Sequence, residues 1–271
     1  NEEGRWYCNR LVNEALNAVR LNDGSPVHIN VPISEPLFEY NVPKLPDERN
    51  IFMLHATTDY FSVREMAVDF FRGKKLMFVL GQLIPEFMGN SHEAIKTLKK
   101  VAVVLQEKLA DDSICPAQPI DEVLKMIGDD EAYRPDHLIY IGGTIVCKRL
   151  RQFLRECKCE MSIVVNGIDE FCDTFMHTTE MIQGLPEDVI TIFANETEGV
   201  KKRDFVTLWD KAFDKALAIR KTIKPRFSQM LAVKAFHEKM REEAVDGKLF
   251  YGNSSAVRLG NIFSDQYIYV N

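Results

Sequence analysis

Three short runs, LMFVLG (76–81), HLIYIGG (137–143) and MSIVVNG (161–167), are apolar almost end to end and stop on glycine. A strand with one wet face alternates apolar and polar residues, whereas a strand apolar throughout has both faces covered. Between and around these runs lie stretches with helical apolar spacing: SVREMAVDFFRG (62–73), SHEAIKTLKKVAVVLQEKL (91–109), PIDEVLKMIG (119–128) and CKRLRQFLREC (147–157). Strands alternating with helices in this way predict an α/β fold, a Rossmann-like parallel sheet with helices on both faces. DVITIFAN (188–195) reads as a further strand of that sheet, and Ser91 as a helix cap. Glycine at the strand ends (Gly81, Gly142, Gly143, Gly167) draws attention to the carboxyl ends, where such sheets bind ligands.

The flanks differ in character. RWYCNRLVNEALNAVRL (5–21) has a helical stripe of Leu11, Val12, Ala15, Leu16 and Val19, closed by the turn signal NDGSP. VHINVP (27–32) reads as a short strand. The 19 residues from Pro32 to Asn50 hold four of the eleven prolines, which predicts an extended linker. Toward the other end come two helices over about 205–222 and 227–243, then KLFYG as a strand, GNSS as a turn opening a helix, and YIYVN as a last strand. Between 201 and 243 there are 12 Lys/Arg against 6 Asp/Glu, read as solvated helix faces. The chain opens on NEEGRWYC and stops on a strand, and the expectation is an internal piece of a longer protein flanked by partial α/β domains.

A net charge of −6 argues against a general nucleic-acid binder, and no apolar stretch approaches the ~20 residues of a membrane span. Of six cysteines only Cys157 and Cys159 are close, and C-x-C without a partner pair is a poor zinc site. Reduced thiols, and with them a cytoplasmic location, are expected. No Walker A loop, G-x-S-x-G elbow or H-E-x-x-H helix occurs. The strand-end turns GQLIPEF, GGTIVCKRL and NGIDEFCD lack G-x-G-x-x-G, which disfavours a nicotinamide or flavin oxidoreductase. Asp169 in NGIDEF reads as a turn residue, and His55 and His177 as ordinary core or surface histidines.

GGTIVCKRL (142–150) places Lys148 and Arg149 side by side at a strand-to-helix turn. PVHINVPISEPL resembles the segment closing the pyrimidine-binding domain of thiamine-diphosphate enzymes. Together with GGTIVCKRL, GNSSAVRL and the final YVN, it is similar to the 2-succinyl-5-enolpyruvyl-6-hydroxy-3-cyclohexene-1-carboxylate synthase family of menaquinone biosynthesis. The resemblance runs along the whole chain, which covers about the middle half of such an enzyme. It implies that residues 1–40 are the tail of a pyrimidine-binding domain, 45–222 a central domain, and 224–271 the start of a diphosphate-binding domain.

The resemblance also implies an activity. The family decarboxylates 2-oxoglutarate on thiamine diphosphate, held with Mg²⁺ or Mn²⁺, and adds the four-carbon unit to isochorismate. It implies a homodimer or homotetramer for the full-length enzyme. Lys148 and Arg149 match the basic pair that approaches isochorismate, while Ser254 and Arg258 match a serine and arginine that meet substrate carboxylate and hydroxyl groups; Asn253 would help hold their turn. The chemistry is apt, because both substrates are polyanions and a guanidinium offers a planar fork to a carboxylate. The plainer readings are a solvated first helical turn for the two cations and a helix N-cap for Ser254. No G-D-G metal segment occurs, and Glu14 and Glu35 match no activating glutamate. No catalytic, cofactor or metal residue is therefore expected within the chain, and the chain alone is expected to be inactive. The alternative is a non-catalytic central module that binds a small anionic regulator.

Overall fold

A computed structural model describes residues 2–21, 24–32, 43–83, 91–110, 118–167, 171–245 and 247–270. Its centre is a six-stranded, wholly parallel sheet of β1 (Phe52–His55), β2 (Leu76–Leu80), β3 (Val103–Gln106), β4 (His137–Ile141), β5 (Met161–Asn166) and β6 (Glu180–Gln183), in the order β1-β6-β5-β4-β2-β3. The α/β class and the two-sided cover read from the apolar runs are what the chain adopts. Along β2, Leu76, Phe78 and Leu80 join one core while Met77 and Val79 join the other, as the two-residue period of a strand requires. α2 (Tyr60–Phe70), α3 (Ser91–Leu98) and α6 (Pro186–Asn195) cover the first face. α4 (Ile120–Ile127), α5 (Lys148–Arg155) and α7 (Asp204–Thr222) cover the second, where Trp209 is fully buried.

Strand order creates one special place. From β2 the chain passes through α3, on the first face, outward to the edge strand β3. From β4, the neighbour of β2, it passes through α5, on the opposite face, to β5 in the other direction. The connections diverge there, and a crevice opens over the carboxyl ends of β2 and β4.

Three local expectations are corrected. The stretch 91–109 is not one helix: α3 stops at Leu98, and VVLQ pairs with β2 as β3, every residue of it buried. β-branched residues with two covered faces favour the strand. DVITIFAN is not a strand but most of α6. Pro186 stands in its first turn with Glu187 and Asp188, favourable at a helix start, and Val189, Ile190 and Phe193 form its buried side. The strand is EMIQ just before it. VHINVP forms no strand: Val27, Ile29 and Val31 are exposed and have no ladder partner among the described residues. β1 carried no strand signal that was recognised.

A second unit follows. After α8 (Gln229–Glu242), β7 (Leu249–Tyr251) and β8 (Ile268–Val270) pair in parallel around α9 (Ser255–Phe263). Gly260 lets α9 lie against the Tyr251 ring, since a Cβ there would meet ring atoms at 2.9 Å. At the other end, α1 (Glu2–Leu21) carries Asn9, Asn13 and Asn17 one turn apart, a ladder that bonds the backbone of Arg49 and Ile51. Arg49 meets Asp173 at 2.6 Å, and Trp6 donates to the same carboxylate. Burial alone would raise the Asp173 carboxyl, but hydrogen bonds from Arg49 and Thr178 outweigh it and hold it below the usual carboxylate range.

Candidate functional site

A cavity of about 600 Å³ lies over the crevice between β2 and β4. Gln82, Tyr140, Thr144, Arg151, Asn166 and Thr174 give it polar groups, over an otherwise apolar lining that includes Leu83, Val164 and Val165. The glycines explain how two loops meet there. Gly81 N donates to Ile141 O, Gln82 N to Thr144 O, and Gly143 N to Gln82 O, so the loops after β2 and β4 interlock. A Cβ at Gly81 would collide with the Gly143 carbonyl, and Gly142 sits at φ 92°, with Leu83 2.6 Å from where its Cβ would be. Tyr140 closes the lock by donating from its hydroxyl to Gly143 O.

Lys148 and Arg149 stand on the first turn of α5, exposed and outside the cavity lining. Arg149 is held by Asp121 of α4 at 2.5 Å. The Lys148 side chain has no ion-pair or hydrogen-bond partner among the described residues. Cations at a helix start oppose its dipole, so neither residue is there for the helix's sake. The cap is Cys147, whose Sγ accepts from Leu150 N, and burial pushes this thiol up to about 12, which leaves it inert as a nucleophile.

Ser254 holds the N-cap position of α9 at φ 73°, a conformation costly for a residue with a Cβ, and its side chain makes no capping bond. Its exposed hydroxyl is thus available, as is Arg258 one turn on, which has no side-chain partner among the described residues. The elements that carry the two candidate pairs meet in one small apolar cluster. Val146, two residues before Lys148, packs in the same small cluster as Val257, Leu109 and Ile268.

The support that sequence reasoning missed is Glu107, buried just past β3. Its Oε2 accepts from Val146 N at 2.7 Å, and its Oε1 from Cys147 N at 3.0 Å and Asn261 Nδ2 at 3.1 Å. Burial pushes this carboxyl up to about 7, against the pull of the two backbone amides. A charge directly after a four-residue buried run was the available signal, and reading the segment as helix concealed it. Arg151, the third cation of KRLR, was passed over although it is the one that lines the cavity. His177 is a satisfied internal histidine, bonded to Ser162 Oγ and Leu154 O, with burial lowering its basicity. Asp169 lies outside the described residues.

Among the described residues no three His, Cys, Asp or Glu side chains gather as a metal set, and the sequence has no G-D-G. No helix among the described residues is long and apolar enough to cross a membrane.

No family model matches the chain. Curated proteins do. Over 97% of its length the chain is 29% identical to a protein from Bacteroides thetaiotaomicron named 2-succinyl-5-enolpyruvyl-6-hydroxy-3-cyclohexene-1-carboxylate synthase, of which it covers 46%. A protein of the same name from Porphyromonas gingivalis is 28% identical over 95% of the chain and 46% of its own length. Another from Phocaeicola vulgatus is 35% identical over 57% of the chain and 28% of its own length. The chain spans about half the length of the curated relatives it matches. Along nearly all of its own length, then, the chain resembles 2-succinyl-5-enolpyruvyl-6-hydroxy-3-cyclohexene-1-carboxylate synthases.

Proposed function

We propose that this chain is the anion-receiving part of a thiamine-diphosphate-dependent synthase. In full-length form that enzyme decarboxylates 2-oxoglutarate and adds the four-carbon unit to isochorismate in menaquinone biosynthesis. The observation that carries the reading is the similarity, along 97% of the chain, to synthases of that name. Thiamine diphosphate, with Mg²⁺ or Mn²⁺, supplies the decarboxylation chemistry, and residues beyond this chain hold it. Residues 1–40, 45–222 and 224–271 then correspond to the tail of one domain, a central domain and the start of a third. The enzyme is a cytoplasmic homodimer or homotetramer.

Among the described residues Lys148 is an ammonium without a partner on a helix start that gains nothing from it, and Arg258 a guanidinium without one. Each is suited to a substrate carboxylate, Arg258 by a two-pronged contact. Arg149 is already oriented by Asp121, so it meets a carboxylate without first being ordered. The Ser254 hydroxyl, unspent as a cap, serves a substrate hydroxyl or carboxylate.

The test is the full-length protein with thiamine diphosphate, Mg²⁺, 2-oxoglutarate and isochorismate. Consumption of both substrates is expected, and decarboxylation with isochorismate left untouched contradicts the reading. This chain alone, titrated with thiamine diphosphate and Mg²⁺ in a calorimeter, is expected to show no saturable binding.

A second reading rests on the cavity over β2 and β4. It is lined wholly by residues between 82 and 186 and carries Arg151, so a small anionic regulator would bind there rather than at Lys148, Arg149 and Arg258. Mapping where an anion binds separates the two readings.

A further inference from the structure

Every cation proposed to meet substrate sits on one of two helices. These belong to different sheets and are joined by no continuous secondary structure. α5 follows β4 of the large sheet, and α9 lies between the two strands of the small one. A substrate gripped from both sides needs their separation fixed to within a fraction of an ångström, since small misplacements weaken binding and rate. Exposed lysine and arginine heads cannot fix it. Something buried beneath them must.

We propose that Glu107 is a positioning residue that sets the distance between the start of α5 and helix α9, and so between Lys148–Arg149 and Ser254–Arg258. The inference rests on the substrate-binding reading above. One carboxylate oxygen takes the Val146 amide, and the other takes both the Cys147 amide and the Asn261 side chain. Cys147 is the residue immediately before Lys148, and Asn261 lies one helical turn past Arg258. A single buried side chain therefore touches both substrate-bearing elements, each within three residues of a proposed contact.

The bonding around Glu107 admits one arrangement. Asn261 Oδ1 accepts from Lys108 N at 2.6 Å, so Asn261 cannot flip without turning its amide hydrogens on that donor. Its Nδ2 must face an acceptor, and Glu107 is that acceptor. The neighbouring residues brace the same junction. Lys108 Nζ donates to Asp265 O at 3.1 Å, Lys108 O accepts from Ile268 N at 3.3 Å, and Leu109 packs on Val257 and Ile268. Tyr267 reaches across to Leu83 O at 2.7 Å. Leu109 and Tyr267 supply adhesion, and the Glu107 side chain bonds the α5 start and α9 at once. A buried carboxylate is expensive where an apolar residue would serve mere packing, which argues that position rather than stability is what it provides.

Donor–acceptor logic makes this testable by exchange of partners. Asn261→Asp removes the donor and, above about pH 8 where Glu107 is ionised, sets two carboxylates against each other. Glu107→Gln with Asn261→Asp restores a donor facing an acceptor between residues 107 and 261, while the Cys147 amide, which shares that Glu107 oxygen, loses its acceptor. Two readouts apply: hydrogen exchange over 146–147 and 255–263 in this chain, and steady-state kinetics of the full-length enzyme. Asn261→Asp alone is expected to speed exchange in α9 at least tenfold. It should also raise the KM for isochorismate about tenfold. The double variant should recover most of the α9 protection but only part of the KM, with residues 146–147 still loosened by the lost Cys147 bond. An α9 that exchanges normally in Asn261→Asp at a pH where Glu107 is ionised, or a double variant whose α9 is as loose as the single variant's, overturns the proposal. So does a loosened α9 with unaltered KM in an enzyme where Lys148→Ala does raise it. If Lys148→Ala and Arg258→Ala leave KM untouched, it is the substrate-binding reading that has failed.

Discussion

The large sheet and the small one bury themselves by different means. Every residue of β2 and β3 is buried, and the large sheet's own helices close both faces. None of the three residues of β7 is buried, and Phe250 remains 70% exposed. The small sheet owes its place to Glu107, Lys108 and Leu109, three residues just past the end of β3. One unit is held by its core and the other by a joint, and the proposed substrate contacts stand on either side of that joint. Precision at the site is thus a property of the joint, while stability is a property of the core.

The sharpest way to break this comparison is to damage each part separately. Trp209→Ala empties the centre of the second face and strands the Tyr133 carbonyl that its indole bonds. A loss of about 3–5 kcal/mol in urea unfolding is expected, spread over the whole large sheet. Leu109→Ala should cost about 2–4 kcal/mol, felt as faster exchange in α9 and β8 with the large sheet's protection intact. Equal loosening of both sheets would erase the distinction between core and joint.

Acid and base limbs sharpen it further. Asp173 titrates below its ordinary value, so its contribution is full above the usual carboxylate range and is lost as pH falls through its lowered folded value. Asp173→Asn should cost about 2 kcal/mol near neutrality and flatten the acid limb of stability. Glu107 behaves in the opposite sense. Raised from 4.5 to about 7, it makes the fold less stable as pH rises across that interval. Arg151 of α5 favours its ionised form and Asp121 of α4 opposes it, with Tyr140 of β4 close by. Glu107→Gln, which carries no charge, should remove this decline as followed by thermal unfolding from pH 5 to 8. A decline that persists in the variant would assign it to another group.

How much of this was legible beforehand follows from which faces are covered. β2, β4 and β5 announced themselves because an apolar run of five or six residues ending in glycine suits a central parallel strand better than a helix. β3 was hidden because α3 runs into it with only four residues between and no glycine or proline to mark the break. β6 was misplaced because α6, buried at five of its ten positions, reads as apolar and β-branched as a strand does. At the site, Lys148, Arg149, Ser254 and Arg258 were legible only through resemblance; periodicity alone makes them helix surface. Glu107 and Asn261 were not legible at all, since their meaning is a contact between residues 154 positions apart. The crevice, by contrast, was foreshadowed by the strand-end glycines, which allow two loops to cross.

One measurement tests the central claim most directly: the KM for isochorismate of the full-length enzyme carrying Lys148→Ala, Arg149→Ala or Arg258→Ala, with decarboxylation of 2-oxoglutarate alone as the internal control. Loss of a charge-assisted contact predicts a rise of roughly tenfold to a hundredfold for each, with the control unchanged for Lys148→Ala and Arg149→Ala. An isochorismate KM that stays at the wild-type value in all three would contradict the account, and the cations would then be the solvated surface of two helix starts.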